Sequence, residues 1–103
     1  MIYNYQILIE YDGTNFIGWQ AQKRGRSIQG KIEKALKKYF NSEIKLIGSG
    51  RTDKGVHAKE QSANFFSNHK ITNKEKFLNS INYFLKSDDI SILKINKKNL
   101  KFH

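Results

Sequence analysis

The chain has 103 residues, no cysteine and a formal net charge of +10, from 19 Lys and Arg against 9 Asp and Glu. That length suits one compact domain over residues 1–103, and the missing cysteine excludes disulfides, thiolate nucleophiles and cysteine-based zinc sites. No apolar run is long enough to cross a bilayer, and the start MIYNYQILIEYDG lacks the basic-then-apolar order of a secretory signal, so a cytosolic protein with no membrane partner is expected.

In chain order, residues 3–11 alternate. Tyr3, Tyr5, Ile7, Ile9 and Tyr11 lie on one side and Gln6, Leu8 and Glu10 on the other, which predicts a half-buried strand ending at Asp12-Gly13. From Ser27, a candidate N-cap, the period lengthens. Ile28, Ile32, Ala35, Leu36, Tyr39 and Phe40 form one helical stripe, with Lys31, Lys34, Lys37 and Lys38 off it. Ile44–Gly48 reads as a strand that feeds a glycine-rich loop, and Gln61–Phe66 as a strand that leaves it. Thr72-Asn-Lys-Glu75 has capping-box spacing, with Thr72 as the expected cap, and Phe77, Leu78, Ile81, Phe84 and Leu85 make a second stripe. A last strand is expected over Ile90–Ile95. The order β-α-β-β-α-β predicts an α+β, ferredoxin-like fold: an antiparallel sheet with two helices on one face and the other face open, a surface such domains use for RNA.

The positive charge favours nucleic acid, because each neutralised phosphate releases condensed counterions, although lysine equally serves as solvated helix face. The three arginines, Arg24, Arg26 and Arg51, all fall in expected loops, where a planar guanidinium suits phosphate and base edges. Trp19, in Gly18-Trp-Gln20, can stack on a base or plug the core. The segment GSGRTDKGVH, residues 48–57, holds three glycines around Arg51, Asp53 and His57. Arg51 and Lys54 favour an ionised Asp53, which can act as nucleophile or base, or can instead brace a turn by pairing with Arg51. His57 can move a proton near neutral pH or hydrogen-bond the loop or a phosphate. His57, His69 and His103 have no metal-ligand spacing, and no metal is expected. EYDGT is similar to the DxDGT of aspartate-dependent phosphatases, but Glu10 stands where their nucleophilic Asp would be, and their parallel sheet does not suit this element order.

Together, YDGTNFIGWQ, SIQG opening a helix, GSGRTDKGVH and Gln61 before a strand resemble the amino-terminal half of the tRNA pseudouridine synthase A family, from about Tyr5 to Phe102-His103. The resemblance implies that Asp53 is the catalytic aspartate and that Arg51 pairs with it and holds the target nucleotide out of the stack. RNA contacts are further expected from Trp19, Gln20, Arg24, Arg26, Thr52, Lys54 and His57, with Asp12, Gly13, Gly48, Gly50 and Gly55 shaping the loops. The implied activity is isomerisation of uridine to pseudouridine on the 3′ side of the tRNA anticodon arm, without metal or organic cofactor, by a homodimer. Asp53 is then expected at the end of the sheet where the loops after the first two strands meet. Departures from the family pattern are Ser49, Lys54, Lys59-Glu60 and Lys86-Ser87, the last in place of a proline. Family members continue into a second, similar domain, so this chain alone is expected to turn over weakly or not at all. The alternative is a non-catalytic RNA-binding module that uses the open sheet face.

Overall fold

The computed structural model describes residues 1–12, 27–48 and 58–101, with backbone only at residues 58–60. Six elements follow in the order β1 (Tyr3–Tyr11), α1 (Ile28–Phe40), β2 (Leu46–Gly48), β3 (Ala58–Ser67), α2 (Lys74–Leu85) and β4 (Ile90–Lys98). The strands form one antiparallel sheet in the order β2-β3-β1-β4, which is the expected α+β, ferredoxin-like arrangement. Among the described residues no helix is long and apolar enough to cross a membrane.

Alternation sets the faces. Tyr5, Ile7, Ile9 and Tyr11 of β1 are buried together with Ile28, Ile32, Ala35, Leu36 and Phe40 of α1 and Phe77, Ile81 and Leu85 of α2, so the stripes of both helices enter one core. At its centre Phe65 meets Tyr5, Phe40 and Phe77, with ring centroids 5.7, 5.8 and 6.4 Å away. The buried Tyr5 hydroxyl accepts a hydrogen bond from the Ile71 amide at 2.8 Å, so this aromatic brings no unsatisfied polar group into the core.

Helix ends follow local chemistry. Ser27 caps α1 as expected: its backbone is extended, and its hydroxyl accepts from Gly30 N at 3.0 Å. The helix stops at Asn41, which takes the left-handed conformation (φ 55°) that asparagine tolerates better than most residues. At α2 the cap differs from expectation. Asn73, not Thr72, is the N-cap, and its side-chain oxygen accepts from Lys76 N at 3.0 Å. Both residue types cap well, but asparagine ranks above threonine, and the helix starts one residue later than the capping-box spacing implies.

The strands extend past their apolar patterns because backbone pairing with β1 continues after alternation has faded. β3 begins at Ala58, opposite Tyr11, and β4 runs on to Lys98, opposite Asn4. β2 is shorter than expected and starts at Leu46, although Ile44 before it is still buried. Two register shifts occur towards the end of the sheet where β1 finishes. In β4, Leu8 pairs with Lys94 but Ile9 with Ile92, so Leu93 is an extra residue. This bulge lets Ile90, Ile92 and Ile95 all reach the core despite their uneven spacing. In β3 the shift falls between Ala58 and Gln61.

The face away from the helices is less open than expected. Asn4 and Asn64 lie on it, yet they are 0% and 2% exposed. Asn64 Nδ2 donates to Asn4 Oδ1 at 3.2 Å, and Asn4 Nδ2 donates to the Asn99 carbonyl at 2.9 Å, so these amides satisfy each other and the chain after β4.

Candidate active site

Of the residues the sequence singles out, Asp12 and Gly48 lie in the described structure. Gly13, Trp19, Gln20, Arg24, Arg26, Gly50, Arg51, Thr52, Asp53, Lys54, Gly55 and His57 lie outside the described residues. The described structure fixes the four points from which the two connections carrying them depart and return.

Two of the four, Tyr11 and Ala58, meet at the end of the sheet where β1 finishes, whereas Gly48 stops opposite Ala63, level with Ile7 in the middle of β1. β1 finishes at Tyr11, which pairs with Ala58, the first residue of β3. β2 finishes at Gly48, paired with Ala63. Ser27 and the first turn of α1 sit beside β2, because Gln29 Nε2 donates to the Leu46 carbonyl at 2.9 Å. Asp12 is exposed, and its amide donates to the Asp89 carbonyl at 3.1 Å, which also ties the α2–β4 turn to this end. Asp89 there takes a positive φ of 57°, and Asp88 N donates to Leu85 O at 2.9 Å. The start of the connection after β1 and the end of the connection after β2 are therefore anchored next to each other.

The sheet has a step at this end. β3 starts five residues before Ala63, the partner of Gly48, so its first stretch is paired by β1 on one side and, among the described residues, by no strand on the other. Five strand residues span about 17 Å at roughly 3.4 Å each. The bulge between Ala58 and Gln61 falls within this stretch, and bulges at such positions turn the chain and re-aim side chains.

One feature beside β2 was missed among the candidate site residues. Glu33 Oε2 accepts from Leu46 N at 2.9 Å and from Gln29 Nε2 at 3.2 Å, while Gln29 also bonds the Leu46 carbonyl. Leu46 lies on the edge strand, and two side chains of α1 thus meet both of its backbone polar groups much as a neighbouring strand would. The signal available was Gln29 in the SIQG segment with an acid four residues on, an i,i+4 pair, but its target on β2 is invisible to helical spacing. The clamp holds the chain two residues before Gly48. Glu33→Ala is expected to speed hydrogen exchange at the Leu46 amide and to lower stability by about 1–2 kcal/mol, since the bond is charge-assisted. Glu33→Gln keeps an acceptor and should retain most of both. Unchanged exchange at Leu46 in Glu33→Ala would show that the clamp does not secure β2.

Among the described residues no three His, Cys, Asp or Glu side chains gather as metal ligands would. The described residues thus define a small ferredoxin-like domain in which the connection after β1 departs beside the point where the connection holding GRTDKGVH returns to the sheet.

A sequence profile of the tRNA pseudouridine synthase family matches residues 7–103, and the chain belongs to that family. It is 54% identical over 102 residues to the tRNA pseudouridine synthase A of Pelagibacter ubique, covering 99% of this chain and 42% of that protein. It is 46% identical to the proteins of the same name from Clostridium botulinum and Thermodesulfovibrio yellowstonii, over 97% of this chain and 40% and 39% of theirs. The chain therefore spans about two fifths of the length of these relatives.

Proposed function

We propose that this chain forms the part of a tRNA pseudouridine synthase that carries the catalytic carboxylate, Asp53, and acts on uridine in the anticodon arm of tRNA. In the net reaction the bond from uracil N1 to ribose C1′ breaks, the base turns, and a bond from C5 to C1′ forms. C5 gives up a proton and N1 gains one, so no oxidant or co-substrate is needed. Asp53 would attack or deprotonate the ribose, and Arg51 would pair with it and keep the target nucleotide extruded.

Family membership supports the chemistry. The observation that carries the site is the pairing of Tyr11, where the connection carrying Trp19, Arg24 and Arg26 departs, with Ala58, where the Asp53 connection returns to the sheet. A non-catalytic module reading RNA on the sheet face finds less support, because Asn4 and Asn64 on that face are buried and already hydrogen-bonded. A cytosolic homodimer is part of the proposal and follows the family resemblance.

The test joins this chain to the rest of the Pelagibacter ubique relative, in place of its matching stretch, and maps pseudouridine in an unmodified tRNA transcript. Pseudouridine in the anticodon arm is expected. A folded chimera that binds tRNA and forms none would overturn the reading. The 103 residues alone should turn over little, because an extruded uracil must rotate in a dry, shaped pocket, and one side of a cleft leaves it in water.

A further inference from the structure

Away from the candidate site, α1 and α2 enclose a polar groove of about 100 Å³ lined by Lys31, Lys34, Ala35, Lys38, Phe84 and Asp88. The three lysines follow at i, i+3 and i+7, so they share one side of α1 and spread over about 10 Å at roughly 1.5 Å per residue. The only acid of α1, Glu33, is turned away to the β2 backbone. Asp88 is the one carboxylate in the groove. It pairs with the half-buried Lys31 at 3.7 Å and holds that ammonium at the groove wall, while among the described residues no carboxylate pairs with the exposed Lys34 or Lys38.

The apolar part of the lining has the same character. Lys38 Nζ lies 5.5 Å from the centre of the Phe84 ring, and Phe84 packs edge-on against Tyr83, which is 65% exposed and carries Lys86 Nζ 4.6 Å over its own ring. Ammonium groups interleaved with accessible aromatic rings suit a nucleic-acid strand, whose phosphates take the charges and whose bases can stack. The groove also starts where the candidate site does. Asp88 is one residue from Asp89, whose carbonyl holds the Asp12 amide at the end of β1.

We propose that the α1–α2 groove is a second RNA contact, in which Lys34 and Lys38, steadied by the Lys31–Asp88 pair, bind the phosphodiester backbone of the tRNA whose uridine is presented to the Asp53 loop. The assignment rests on the tRNA reading above. It places the enzyme's grip on its substrate partly on the helical layer, along a track continuous with the end of the sheet that anchors the catalytic connection.

The test measures binding of an unmodified tRNA transcript to the full chain across a salt series. It compares K34Q/K38Q with K70Q/K76Q, which removes the same charge from exposed lysines outside the groove lining. In K34Q/K38Q, affinity should fall about tenfold near physiological salt, and the slope of log K against log salt should flatten by about 1.5, at roughly 0.7–0.9 per phosphate contact. K70Q/K76Q should change both much less, and circular dichroism should show both variants folded. Equal losses in the two variants would reduce the effect to net charge and overturn the groove. Unchanged tRNA binding by K34Q/K38Q with loss of binding to polyglutamate would also overturn it and assign the groove to an acidic protein partner. Since the readout is binding, an Asp53→Asn enzyme that stayed active would remove the catalytic reading and leave the groove standing.

Discussion

Asp53→Asn in the chimera with the Pelagibacter ubique relative is expected to lower pseudouridine formation by about 10⁴-fold or more, the scale on which loss of a covalent or general-base group acts, while tRNA binding persists. Asparagine keeps the size and hydrogen-bonding reach of the side chain and removes the charge that makes it a nucleophile or base. The position suits the role: residue 53 is five residues from Gly48 and five from Ala58, midway along the connection between two fixed strand ends. Loss of binding together with rate would instead mark Asp53 as a brace of its loop. Survival of the rate within about tenfold would remove it from the chemistry altogether. Arg51→Lys, which keeps the charge and loses the planar fork, should cost about 10²-fold in rate through misplacement of the nucleotide. Single-turnover rates at saturating tRNA, alongside equilibrium binding, separate these outcomes.

The second large effect is on stability. Phe65→Ala should destabilise the domain by about 3–5 kcal/mol, because the ring is fully buried between Tyr5, Phe40 and Phe77 and its removal opens a cavity that three rings cannot jointly fill. A domain of this size has about 5–15 kcal/mol in total, so the variant should be near the edge of folding, with a Tm lower by about 15–30 °C. Phe65→Leu keeps much of the volume and should cost markedly less. A urea titration of both variants decides the matter. A loss under about 1 kcal/mol for Phe65→Ala would mean that the aromatic cluster is not the centre of the core.

Much of this protein could be read without coordinates. The period-two pattern of β1 and the helical stripes of α1 and α2 each report a face that must be buried, and their order admits few topologies other than the one found. The GRTDKGVH segment carries its meaning in residue identity, so its family was legible as well. Spacing, however, reports only contacts between near neighbours. It could not show that Leu93 would bulge, since that depends on which residue of β1 faces it. It pointed to Thr72 rather than Asn73 as cap, because two capable residues stand side by side and only the start of the packed helix chooses between them.

The sequence by itself determined the elements, the apolar faces and the chemical character of the loop after β2, because these depend on periodicity and residue type. Only the tertiary structure joined Gln29 and Glu33 to Leu46, buried Asn4 against Asn64 on the face expected to be open, and set Phe84 and Asp88 of the α2 side against the lysines of α1. Each of these contacts joins residues 13 or more positions apart, and such pairs are fixed by sheet register and helix placement, which no local pattern encodes.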